Sequence, residues 1–513
     1  FSTDSSTTGT VVVSNANTYT GPTTISGGIL STNLLANGGV ASGIGMSSND
    51  AANLVLNGGT LQYTGPAVTI DRNFSLPQGS SSGGTLDASG TGALTITGNV
   101  TGGTTGTKYL YLTGTNTDAN TLSGAIADGS GSTTRLYKTG TGTWALSGNN
   151  TYSNSTNVNE GVLLLNSANA LPGGIGSSGG TSALLINGGV VGLGHGDFSR
   201  DVGTGVDEVR FSGSGGFAAY GADRAVNLGG AGATVTWNVG YFLPTDSSLI
   251  LGAATADHMV DFQNPINLTG GDRTIQVNNG SAAVDAKISG EISGTAGIGN
   301  VVKTGDGTLL LTANNTYTGT TTISAGTLLV DGSLADSAVS VNGGVLGGSG
   351  VVNGSVVVAS GANLAPGNSP GSLELGSALN LQSGSTLVIE LGGTTFTLNG
   401  TEQYDRVKVT GATTLAGALN VSLIDAFTPN AGDLFGIVDA TGGLTGTFGN
   451  YAEGDTVLTS GGVIVKITYL GNVTDSTVSQ TGGSDVVLYA VPEPASMALL
   501  LLGGGLALLR RRR

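Results

Sequence analysis

Asn315-Thr316-Tyr317-Thr318-Gly319 is followed, eight residues after its Asn, by Ile323 and then by Gly326 and Leu328. The same order occurs twice earlier. Asn17-Thr18-Tyr19-Thr20-Gly21 leads to Ile25, Gly28 and Leu30, and Asn150-Thr151-Tyr152-Ser153-Asn154 leads to Val158, Gly161 and Leu163, each with the same spacing of eight. Downstream of the copies lie Asn57-Gly58-Gly59, Asn187-Gly188-Gly189 and Asn342-Gly343-Gly344. The first two copies also share Gly43-Ile44-Gly45 and Gly174-Ile175-Gly176. A fixed order recurring along a chain is the signature of a repeat architecture. Asn and Gly tolerate left-handed backbone, so Asn-Gly-Gly marks places where the chain reverses.

Between the turns, apolar and polar residues alternate as in strands. Leu419, Val421 and Leu423 flank Asn420 and Ser422, and Lys466 separates Val465 from Ile467. Short strands with inward aliphatics suit a sandwich, a barrel or a solenoid. The repeated modules favour the solenoid, with roughly 20–25 residues per rung. Three modules are expected, over 1–135, 136–299 and 300–485, the last including a C-terminal β region. A linker at 486–494 and a tail at 495–513 follow.

Composition agrees. Gly accounts for 92 of 513 residues, there is no Cys, and only 10% of side chains are charged. So much Gly costs backbone entropy unless tight turns require it. With 38% apolar residues the chain can bury a core, which separates it from disordered sequences. A formal charge of −16 without basic stripes argues against nucleic-acid binding. The absence of Cys excludes disulfides and thiolate metal sites.

Two stretches carry a resemblance. Lys138-Thr139-Gly140-Thr141-Gly142-Thr143-Trp144-Ala145-Leu146, running on to Tyr152, is similar to the autotransporter-associated β-strand repeat. So is Lys303-Thr304-Gly305-Asp306-Gly307-Thr308-Leu309, running on to Tyr317, whereas the copy at Tyr19 lacks the Lys lead-in. Leu364 to Gly371 and Tyr404-Asp405-Arg406-Val407-Lys408-Val409-Thr410-Gly411 resemble segments late in autotransporter passengers. The resemblance implies an all-β fold, a right-handed parallel β-helix or β-solenoid. No C-terminal series of alternating strands able to form an outer-membrane barrel follows.

The chain ends differently. Val491-Pro492-Glu493-Pro494 precedes an apolar run, Ala495 to Leu509, and then Arg510, Arg511, Arg512 and Arg513. As a helix, those 15 residues would span about 22 Å, short of the roughly 30 Å hydrocarbon core. The two prolines disfavour helix just before it and leave an extended strip. This order resembles the PEP-CTERM sorting signal of Gram-negative bacteria. It implies an exosortase-type membrane enzyme as partner, a short hydrophobic C-terminal helix inserted transiently in the membrane, and removal of the tail. Localisation at the cell surface, outer membrane or extracellular matrix follows from it.

Catalytic chemistry is not expected. The densest polar groups are His195, Asp197 and Asp201, then Asp207 and Glu208, then Asp257, His258 and Asp261. Alternation with apolar neighbours suits outward-facing strand residues. Asp71-Arg72 and Asp223-Arg224 read as surface ion pairs, and Tyr19, Tyr152 and Tyr317 as packing residues of the repeat rather than carbohydrate platforms. No catalytic residue, metal ligand or cofactor is expected. A structural role is favoured by regular turns without long insertions. An adhesin that binds glycans is the alternative, and a polysaccharide-degrading β-helix enzyme the third reading. Unpaired strand edges at a solenoid end predict end-to-end self-association or further chain before Phe1, and extracellular polysaccharide is a further partner class.

Overall fold

The computed structural model describes residues 1–76, 83–230, 232–295, 298–396, 402–475 and 477–494. Two compact units divide the chain: Phe1–Thr269 with Arg273–Gly290, and Gly270–Asp272 with Glu291–Arg513. Among the described residues, helix is confined to a 3₁₀ turn at Ala51–Asn53 and to Pro494; the rest of the regular structure is short β-strand.

In the second unit the repeat becomes a coil of three parallel sheets. Ile323 pairs with Val341 and Val341 with Val358 on one face. Leu328, Leu346 and Leu364 stack on the next, and Leu334, Val352 and Leu375 on the third. All nine side chains are buried. Each rung contributes one or two inward aliphatics per face, and equivalent positions stack rung on rung. The strands of these three ladders are only two to four residues long, so stacking rather than strand length supplies the core.

The first unit stacks in the same manner. One inward ladder runs Leu30, Leu61, Leu86, Leu112, Lys138, Val158, Ile186 and Phe211. Rungs are less uniform than the expected 20–25 residues. Val341 to Val358 spans 17 residues and Leu381 to Leu415 spans 34, because turns lengthen while strand register is kept.

The repeat glycines have a definite task. Gly28, Gly161 and Gly326 have φ of 63°, 63° and 66°. A Cβ at Gly326 would collide with the carbonyl oxygens of Gly305 and Gly307 one rung earlier. The Gly in each Gly-x-Leu therefore permits both a left-handed turn and close rung contact.

Two features depart from expectation. The turns are not all short: between Gly194 and Leu249 the first unit carries long irregular connections, with Asn238, Tyr241 and Leu243 at positive φ. Gly229, Gly230, Gly232 and Pro244 break the strand pattern there. Within the expected 300–485 module the strand direction also changes. Its last parallel pairing is Leu415 with Gly446, after which the sheet turns antiparallel. Leu434–Ala440 pairs antiparallel with Asp485–Pro492. That strand pairs with Val463–Val473, which in turn pairs with Thr456–Ser460. An antiparallel finish covers the rung edge that a parallel coil leaves open.

Candidate functional site

The polar residues of the repeat serve the frame. Tyr152 and Tyr317 are fully buried, and their hydroxyls lie 2.6 Å and 2.7 Å from the hydroxyls of Thr156 and Thr321. Tyr19 repeats the contact with Thr23 at 2.7 Å. Burial leaves Tyr152 and Tyr317 no face for stacking on a carbohydrate. Lys138 and Lys303 occupy inward positions. Lys138 Nζ donates to the carbonyls of Thr139 (2.9 Å), Gly140 (2.6 Å) and Glu160 (3.0 Å). Lys303 Nζ does the same for Thr304 (3.0 Å), Gly305 (2.8 Å) and Ala325 (3.1 Å). Each lysine ties its own turn to the turn of the next rung.

The expected surface ion pairs are corrected. Arg72 is buried, and its guanidinium donates to the carbonyls of Ala36, Ser47 and Gly45, while Asp71 accepts from the Gly38 amide. Arg224 donates to the carbonyls of Leu193 and Gly194, and Asp223 accepts from Met259 N. Asp261 lies on the outer face of its strand between the inward Val260 and Phe262, is largely covered there, and pairs with Lys287 at 2.9 Å. His195 is exposed; Asp197 accepts from the Ala225 amide, and His258 lies 3.0 Å from Asp257 on the surface. Asp201 and Glu208 come together on one cleft. Among the described residues no group of three or more His, Asp or Glu side chains could hold a metal ion.

The passenger-like segment Tyr404 to Gly411 fastens the antiparallel cap. Arg406 is buried beneath it and pairs with the Asp439 carboxylate, with the more exposed Asp475 3.6 Å away. Its guanidinium carbon lies 4.4 Å from the Phe396 ring centre. Lys408 reaches Asp475 at 3.3 Å. Within the cap, Asp485 accepts from the amides of Ala440 (2.8 Å) and Val473 (2.7 Å), and burial raises its pKa.

Asp405 is buried next to Arg406 and accepts from the amides of Gly371 (2.9 Å) and Glu390 (2.8 Å). Burial outweighs those bonds and pushes its pKa up to about 7. The folded state thus holds this proton more tightly than an unfolded chain, where Asp titrates near 3.9. Stability contributed by the neutral form is present below pH 4 and is lost as pH rises through 7. Between pH 5 and pH 8 the second unit is expected to lose about 3 kcal/mol from this group. Urea titrations at the two pH values check this; a variant D405N with an undiminished pH slope would refute it.

The sequence-predicted processing residues end the cap. Val491 pairs with Ile464 and Pro492 with Val463, and the Glu493 amide donates to Gly462 O at 3.1 Å. The strip is extended through Pro492, as expected, and Pro494 is helical. It is less open than expected, because Val491, Pro492 and Glu493 are half-buried and Pro494 alone is exposed. The apolar run from Ala495, its expected helix, and Arg510 to Arg513 lie outside the described residues. Among the described residues no helix is long and apolar enough to cross a membrane.

Comparison with known proteins agrees with these elements. The passenger-associated-transport-repeat matches residues 8–31, 136–165 and 301–330, and the PEP-CTERM protein-sorting motif matches 490–513. The chain is similar to the Adhesin BmaC autotransporter of Brucella suis biovar 1 (strain 1330), 36% identical over 341 residues, covering 64% of this chain and 9% of that protein. It is also similar to an extracellular serine protease of Serratia marcescens, 32% identical over 170 residues, covering 32% of this chain and 15% of the protease. The chain thus matches less than a sixth of either relative's length. The repeats, the sorting motif and the homology to an adhesin passenger mark an exported cell-surface protein of a Gram-negative bacterium. The sorting motif implies processing by an exosortase-type system.

Proposed function

We propose that this protein is a non-enzymatic structural component of the cell surface or extracellular matrix, released from a transient membrane-held state by cleavage next to Pro494. The observation that carries the reading is where strand pairing stops. It reaches Glu493 and leaves Pro494 exposed, immediately before the apolar run and the four Arg. Val491 to Pro494 are the recognition residues, and Arg510 to Arg513 hold the C-terminus on the cytoplasmic side. A cut there leaves every hydrogen bond between the described residues of the cap in place. It also removes four positive charges, taking the formal charge from −16 to −20.

Support for a structural role lies in how the buried polar groups are used: lysine, arginine, tyrosine and asparagine side chains bind turns and carbonyls rather than face a common groove. End-to-end contact of solenoid ends and association with extracellular polysaccharide belong to the same reading. A second reading, adhesion to glycans or other cells, is favoured by the long irregular segment after Gly194. Intact-mass analysis of protein from the native cell surface tests the processing. The expected mature chain lacks Ala495 to Arg513; recovery of chains that retain Arg513 would leave a plain membrane anchor instead.

A further inference from the structure

Within the irregular part of the first unit, residues from Asp201 to Phe242 enclose a cleft of about 480 Å³. That volume falls in the range of roughly 300–1,000 Å³ typical of small-molecule sites. One apolar wall is rigid. Phe242 is buried, with its ring centre 5.4 Å from that of Phe211, 5.8 Å from Trp237 and 6.1 Å from Phe262. Val239, also lining the cleft, remains 57% exposed. A tight hairpin holds it there: the Asn238 amide donates to Leu243 O at 2.8 Å, and Asn238, Gly240 and Tyr241 take left-handed backbone. For Tyr241 that conformation is unfavourable and persists only where the surroundings impose it.

The polar residues of the lining are Asp201, Glu208, Thr234 and Thr236. Glu208 accepts from the Gly205 amide. No cation balances either carboxylate among the described ion pairs. The neighbouring Arg200 is buried and donates to the carbonyls of Gly174, Ser182 and Pro172. The cleft therefore offers acceptors that need donors, threonine hydroxyls that both give and take, and an apolar wall.

A sugar meets all three demands: its hydroxyls donate to carboxylates and accept from threonines, and its C–H face packs on apolar side chains. An ammonium or guanidinium group would satisfy only the carboxylates. Polyanionic glycans are repelled by two carboxylates within a chain of net charge −16. We infer that this cleft binds a neutral saccharide, with Asp201 and Glu208 as hydroxyl acceptors and the exposed Val239, backed by the buried Phe242, as the packing surface. This extends the surface-protein reading and is independent of tail processing.

The test is calorimetric titration of the full chain with neutral gluco-, manno- and chito-oligosaccharides of four to six units. At least one series is expected to bind. Removing the carboxylates in D201N/E208Q should weaken that binding about tenfold or more, since hydrogen bonds to charged groups are the stronger ones. The surface variant V239S should weaken it severalfold with an unchanged circular dichroism spectrum, which guards against misfolding of the double variant. Absence of binding throughout the series at millimolar ligand would overturn the inference. So would binding that both variants leave intact, or selective binding of a lysine-rich peptide in place of the sugars.

Discussion

Arg406→Met is expected to destabilise the unit Glu291–Arg513 by about 3–5 kcal/mol, the usual cost of removing one partner from a buried ion pair. The arginine side chain is 1% exposed and its Asp439 partner 8%. Without the guanidinium, the Thr441 hydroxyl at 3.2 Å is the side-chain partner left to the Asp439 carboxylate among the described residues. The cap would also lose the bond to Thr474 O and the packing on Phe396. Replacing both partners with apolar residues, as in R406M/D439L, should cost far less than the single change, because no buried charge is then left alone. Urea unfolding followed by circular dichroism measures both. A loss below about 1 kcal/mol for R406M would mean that the cap does not depend on this pair.

Lys303→Met should cost about 3 kcal/mol, and Lys138→Met a similar amount in its own unit, because each orphans carbonyls at roughly 1–3 kcal/mol apiece. Methionine preserves the apolar stem that fills the inward position between Leu112 and Val158 in the first unit. The loss would therefore report the three carbonyl contacts rather than a cavity. Thermal melts of the two variants provide the measurement. A shift no larger than that of a surface substitution would show that water replaces the ammonium at these turns.

The solenoid was legible because its physics is repetitive. Within each repeat copy an inward aliphatic and a left-handed Gly stand at fixed spacing, so Ile25, Val158 and Ile323 announce the stacking. Long-range strand direction has no such signature. Val463 to Ile467 alternates like any strand, and nothing local tells that its neighbours run antiparallel. Neighbouring opposite charges misled for a plain reason. Both side chains bind the backbone of one loop instead of each other, Arg72 at the carbonyls of Ala36, Gly45 and Ser47 and Asp71 at the Gly38 amide. The lysine of Lys-x-Gly-x-Gly was visible as a motif but not as a buried group, since its task lies in carbonyls of the adjacent rung. Asp201 and Glu208 share a cleft through irregular chain, where no periodicity points.

The position of the last strand has a mechanical meaning. Asp485–Pro492 lies between Leu434–Ala440 and Val463–Val473, antiparallel to both. A pull applied at Pro494 acts along this strand, loading its bonds to both neighbours in shear so that many must yield together. A terminal strand paired on one side and peeled from its end would open bond by bond. While the tail is still held in a membrane, tension from outside the cell would fall on this lock before it reached any rung.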